Sequence, residues 1–144
     1  MANEQLVELI EQLTDLVSSF EEHYINNSRS GEITLPQLRY LEAITSLENP
    51  TISDIAEALG VKLPSVTAAL KTLSEKNLVQ KTQDTFDKRV VKVKLSLEGQ
   101  RIANLHRKAH EAIAEMMQKR LRKSEVKTLM NLLVKTFQTE AEHE

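Results

Sequence analysis

The 144-residue chain contains no cysteine, and only three glycines and three prolines. The absence of cysteine excludes disulfides, thiolate metal sites and thiol-based redox switching. Scarce glycine and proline argue against long loops and a β-sandwich. No stretch approaches the roughly eighteen apolar residues of a membrane span, and the amino-terminus lacks a basic-then-apolar signal pattern. The expectation is a soluble, cytoplasmic protein with no membrane partner. A Gly-rich phosphate loop and a Gly-x-Ser-x-Gly motif are both missing. A helical di-metal centre needs paired Glu-x-x-His motifs, and only Glu140-x-x-His143 occurs, near the end of the chain. Neither catalysis nor a cofactor is expected. The length allows one domain, or two closely joined parts, with a real core.

What is present is an uneven distribution of charge. The net charge is −2, yet residues 1–59 carry 2 basic and 11 acidic side chains. Residues 60–94 reverse this with Lys62, Lys71, Lys76, Lys81, Lys88, Arg89, Lys92 and Lys94 against Glu75, Asp84 and Asp87. The positive charge thus gathers in one short region, where it can meet phosphates rather than form an ordinary solvated face.

That region coincides with a pattern. Ile52, Ile55, Ala56 and Leu59 recur at helical spacing, as do Leu63, Val66, Leu70 and Leu73. Gly60 lies between them, able to take the left-handed conformation that ends one helix and turns the chain. Ala56 is small where a second helix would cross, and Val66 would wedge between the two. Leu78 to Thr82 then forms an extended run. Val91, Val93 and Leu95 alternate with Lys92 and Lys94, the period of a half-buried strand, and QDTFDKR between the two runs is a polar hairpin loop. Together these spell a winged helix-turn-helix, a DNA-binding element.

The flanks are helical. Leu6, Ile10, Leu13, Val17, Phe20 and Tyr24 form one seam of a helix over 4–26. NNSRSG at 26–31, with Gly31, reads as a loop. Thr34 and Gln37 form a capping box with Pro36 in the first turn, ahead of a buried stripe of Leu38, Leu41, Ile44 and Leu47. Asn49-Pro50 ends that helix and Thr51 caps the next. Ser96 is placed to cap a helix from about Leu97 to Arg120, with Ile102, Leu105, Ala109, Ile113 and Met116 on one side. Ser124 is expected to cap a last helix carrying Val126, Leu129, Leu133 and Phe137, and the tail TEAEHE to fray.

The fold class is therefore mainly α with a small β-hairpin: a winged helix-turn-helix DNA-binding domain at 34–96, with amino- and carboxy-terminal dimerisation helices at 1–33 and 97–144. The terminal stripes have too little domain to cover them, so interleaving with a twin subunit around a two-fold axis is expected. A homodimer sets two recognition helices about one DNA turn apart, and so predicts a palindromic operator on double-stranded DNA.

Leu59-Gly60-Val61, Pro64-Ser65-Val66-Thr67, Leu73, Leu78-Val79, Asp87-Lys88-Arg89 and Leu95-Ser96-x-x-Gly99, in this order of elements, resemble the MarR family of transcriptional regulators along essentially the whole chain. The resemblance implies a homodimeric regulator, usually a repressor, that leaves its operator when a small phenolic or other ligand binds. It implies that Lys62, Ser65, Thr67, Ala68 and Lys71 face the major groove or flanking phosphates. Lys88 and Arg89 then belong to the wing, with Arg89 entering the minor groove and Asp87 holding its guanidinium. Two positions depart from the family. Lys62 stands where a capping serine is common, and Ala68 where an Arg or Lys is common. An alanine cannot hydrogen-bond a base, so a winged-helix interaction module without sequence-specific DNA binding stands as the alternative.

Two readings of what is sensed remain open. Phe20, Tyr24, Arg39, His106 and His110 suit a small aromatic or acidic effector, since an arginine beside aromatics fits a carboxylate or phenolate; equally, the aromatics are seam packing and Arg39 a solvated side chain. His106 and His110, four apart on one helix, with Glu21 suit a metal and a zinc-responsive regulator, but Arg39 stands where the resemblance places a further histidine ligand, and a guanidinium cannot ligate zinc.

Overall fold

A computed structural model describes residues 2–26 and 33–138. Apart from Asn26, the loop expected at 26–31 lies outside the described residues, as do the tail and Glu140-x-x-His143. The order of elements is α1 (Ala2–Asn26), α2 (Leu35–Ser46), α3 (Ile52–Leu59), α4 (Leu63–Glu75), β1 (Val79–Gln83), β2 (Val91–Leu95), α5 (Leu97–Arg120) and α6 (Lys123–Phe137). The two strands pair antiparallel, with Val79 opposite Leu95 and Gln83 opposite Val91. This is the mainly helical fold with one small hairpin that the pattern predicts.

The chain divides into two compact units. One comprises residues 21–108, the other residues 1–20 with 109–144. The first contains a continuous core built from Leu38, Leu41 and Ile44 of α2, Ile55 and Ala56 of α3, Val66, Leu70 and Leu73 of α4, Leu78, Val79, Val93 and Leu95 of the hairpin, and Ile102 and Ala103 of α5. Local chemistry sets each boundary of that core. Thr34 and Gln37 form the reciprocal capping box of α2, with a proline in its first turn. Thr51 and Asp54 do the same for α3, the Thr51 N–H reaching the carboxylate at 2.9 Å. That backbone hydrogen bond holds the Asp54 carboxyl below the usual carboxylate range.

Both helices of the central motif end in the same way. Gly60 sits at φ 63°, Val61 N–H bonds Ala56 O and Gly60 N–H bonds Glu57 O, the paired bonds of a left-handed C-terminal cap. Asn77 repeats the device after α4 at φ 58°, with Leu78 N–H on Leu73 O and Asn77 N–H on Ser74 O. Asparagine tolerates this backbone better than other side chains. The hairpin closes onto α5 through Ser96. Its Oγ donates to Asn77 O at 2.6 Å and accepts from Gly99 N–H at 3.0 Å, the expected cap of α5. A Cβ on Gly99 would lie 2.1 Å from the carbonyl oxygen of Leu78, so only glycine allows this approach.

The other unit is built differently. Leu6, Val7, Leu9, Ile10 and Leu13 of α1 are all exposed, and α6 has no buried residue. Met130, Leu132, Leu133, Val134 and Phe137 of α6 also face outward. Ala109 and Ile113 of α5 are its buried apolar residues. Two local expectations are corrected. The last helix is capped at Arg122 rather than Ser124, two residues earlier, because the Glu125 carboxylate accepts the Arg122 N–H at 2.7 Å. Leu63, in phase with the stripe of α4, is half exposed because it belongs to the first turn, before the helix meets the core.

Candidate nucleic-acid interface

The interface begins with α4, whose buried side fixes which residues point outward. Val66, Leu70 and Leu73 are fully buried, so the opposite face carries Ser65, Ala68 and Lys71, with Thr67 at its edge. All of these, and Lys62 before the first turn, are exposed. Lys62 is the N-cap residue and gives the helix no side-chain cap; Pro64 has no N–H, and Ser65 and Val66 N–H both bond Lys62 O. Thr72 shares the outward face, its hydroxyl donating to Ala68 O at 3.3 Å. It was missed in the sequence, although its spacing of four from Ala68 was the available signal.

The hairpin is tied to the start of α3. Val93 N–H bonds Pro50 O at 2.9 Å, and Thr51 forms an isolated bridge with Lys92. Lysines and the helix-turn-helix are thereby held on one scaffold within the unit. Between the strands, two aspartates shape the loop. Asp84 accepts the Phe86 N–H at 2.8 Å and faces Lys92 Nζ at 3.7 Å, and the first of these contacts does most to hold its carboxyl below the usual range. Asp84 N–H bonds Val90 O, and Val90 N–H bonds Asp87 O. Asp87 Oδ1 accepts the backbone N–H of Arg89 at 3.0 Å. The expectation that Asp87 grips the Arg89 guanidinium is therefore replaced by a turn in which the carboxylate holds Arg89's backbone. Lys88 and Arg89 project from the loop, both exposed.

The residues considered for an effector or a metal fall in both units. Phe20 is partly buried and His110 exposed in the unit of terminal segments; Tyr24 is partly buried, Arg39 exposed and His106 buried in the other. Tyr24 packs edge-to-face on His23. His106 is held between two carboxylates. Its Nε2 lies 2.7 Å from Glu21 Oε1, and its Nδ1 contacts Glu42 Oε1. Glu21 was foreseen beside this histidine; Glu42, on α2 and 64 residues away, was not. With both nitrogens engaged by carboxylates, the ring offers nothing to an acidic ligand.

The chain is similar to known proteins in sequence and in fold. The sequence profile of the MarR family matches residues 33–91, the stretch from the cap of α2 to the first residue of β2.

This stretch resembles the MarR family.

Among curated proteins, it is 30% identical over 87 residues to the HTH-type transcriptional repressor MdtR of Bacillus subtilis, covering 60% of this chain and 56% of that protein. It is also 30% identical over 86 residues to the transcriptional regulator AdcR of Streptococcus pyogenes, covering 60% of this chain and 58% of that one. The chain thus matches somewhat more than half the length of these relatives. In fold it is similar to Streptococcus pneumoniae FabT, solved in complex with DNA, with a TM-score of 0.84 and 24% identity over 94% of this chain and 95% of that one. Among the described residues, no helix is long and apolar enough to cross a membrane.

Proposed function

We propose that the protein is a homodimeric, sequence-specific DNA-binding regulator that represses transcription from a palindromic operator. Its α4 helices enter successive major grooves, and its wings reach the flanking minor grooves. The observation that carries the reading is the exposed face of α4 and the adjoining wing: Lys62, Ser65, Thr67, Lys71, Lys88 and Arg89 face solvent, while Val66, Leu70 and Leu73 on the other side of α4 are buried. A cationic surface on a scaffold this fixed suits phosphate neutralisation with base contacts added. The repressor MdtR and the DNA complex of FabT point the same way for relatives of this fold. No enzymatic role is proposed.

Dimerisation is supported by the apolar faces of α1 and α6, whose exposure a single copy leaves in water. The homodimer places two copies of α4 about 34–36 Å apart on one side of the duplex. Release by a small aromatic ligand belongs to the same proposal; an acidic ligand at His106 is disfavoured by Glu21 and Glu42. The test is fluorescence anisotropy against duplexes enriched from a random library, at two salt concentrations. Tight binding to an enriched palindrome that weakens steeply with salt is expected. Weak binding with no enriched sequence would instead support a winged-helix interaction module.

A further inference from the structure

The loop between β1 and β2 carries a side chain that its polar composition hides. Phe86 is 101% exposed, more than any other large apolar residue described, in a chain with only three phenylalanines. The loop beneath it is nonetheless closely built. Asp84 accepts the Phe86 N–H, Asp84 and Val90 are joined through their backbones, and Asp87 fixes both Val90 and Arg89. The backbone that carries the ring is thus ordered by three hydrogen-bonded residues while the ring itself touches solvent. No core contact explains it, and its apolar surface is buried only by something that arrives from outside.

The surroundings of the ring select that partner. Asp84 is turned inward to the Phe86 N–H and Lys92, and Asp87 to the Arg89 N–H. Lys88 and Arg89 are exposed on the same loop, as is Asp87, whose Oδ1 is occupied by the Arg89 N–H. An exposed aromatic ring on the same loop as two exposed cations, on a hairpin anchored to a helix-turn-helix, matches a polyanion with apolar material recessed behind its charges. The minor groove of duplex DNA has this character.

We propose that Phe86 is a wedge: it enters the minor groove beside Arg89 and partly unstacks one base step, favouring flexible pyrimidine–purine steps there. This rests on the reading of the hairpin as a DNA-contacting wing and adds a specificity-determining residue to it. Arg89 supplies attraction, which depends on groove potential, and Phe86 supplies selection through the deformability of the step it opens. The absence of a base-reading side chain at Ala68 makes such indirect selection useful, because it recovers sequence preference away from the major groove.

The test uses the full-length protein and a duplex enriched from a random library, with 2-aminopurine placed in turn at each step under the wing. Binding of the parent should raise the fluorescence at one symmetry-related step. Phe86→Ala should abolish that rise and weaken binding by about tenfold or more, with the slope of affinity against salt unchanged, since no phosphate contact is removed. Phe86→Leu, an apolar wedge of smaller size, should keep most of both. Circular dichroism of both variants should match the parent, because the ring is outside the core. Parent-like affinity and fluorescence in Phe86→Ala would overturn the proposal. An affinity loss with no fluorescence rise in the parent complex would also overturn it, placing the ring against deoxyribose instead. A parent protein that enriches no duplex fails the DNA-binding reading itself, and the wedge with it.

Discussion

The two units of this chain solve the burial problem in opposite ways. Residues 21–108 close a core of their own, with Leu41, Ile55, Val66, Leu70, Leu73 and Ile102 all at 0% exposure. In the unit of residues 1–20 and 109–144, helices of similar amphipathic pattern leave Leu6, Ile10, Leu13, Leu133 and Phe137 in water. Periodicity alone does not separate these cases, because both read as apolar stripes at helical spacing. The separation comes from what surrounds each stripe. The α2–α4 segment is crossed by a hairpin and by α5, held at Ser96 and Gly99, whereas α6 has no buried residue. The contrast teaches that the first unit buries its own stripes, whereas the second leaves exposed the apolar face that the proposed homodimer would cover.

The sharpest way to break the first half of this comparison is at Gly99. A methyl group there would meet the Leu78 carbonyl oxygen, a backbone atom that cannot swing aside. Gly99→Ala should lower stability by about 3 kcal/mol, measured by urea unfolding, by forcing α5 from the hairpin. Unchanged stability would show that the junction is loose. Next in size is a charge on the exposed seam of α1. Ile10→Glu should convert the proposed dimer to monomer at micromolar concentration in light scattering, while the far-ultraviolet circular dichroism keeps its helical form.

A smaller effect separates surface from core within the first unit. Arg89→Ala should leave urea unfolding within about 0.5 kcal/mol of the parent, since the side chain is exposed. It should reduce the salt slope of operator binding by about one, as expected for one phosphate-region cation removed. The smallest effect concerns acid. Asp54 has its carboxyl lowered by the Thr51 N–H, so the folded pKa lies below the unfolded one. Its contribution is complete above the unfolded value of about 4 and is lost as pH falls through the folded value. Asp54→Asn should therefore lose that contribution at neutral pH and flatten the acid limb, so that parent and variant converge in stability well below about pH 4.

Much of the fold was legible because its signals are local. Thr34 with Gln37, Thr51, Gly60 and Ser96 each act within a few residues, and all appear where the pattern placed them. The exposed face of α4 followed from the period of Val66, Leu70 and Leu73. What was not legible depends on distance or on rotamer. Glu42 meets His106 across 64 residues, and no spacing rule reports such a meeting. Asp87 faced a choice between the side chain and the backbone of Arg89, which only the turn geometry decides. Phe86 was absorbed into a polar loop, since exposure of a single aromatic leaves no periodic trace.

The account stands or falls on whether the outward face of α4 and the wing engage DNA through a dimer built by the terminal helices. Size-exclusion chromatography with light scattering, on the protein alone and with one enriched duplex, tests this directly. The free protein should show twice the 16.4 kDa chain mass, and the complex should hold two protomers per duplex. A monomer at micromolar concentration, or one protomer per duplex, would contradict it.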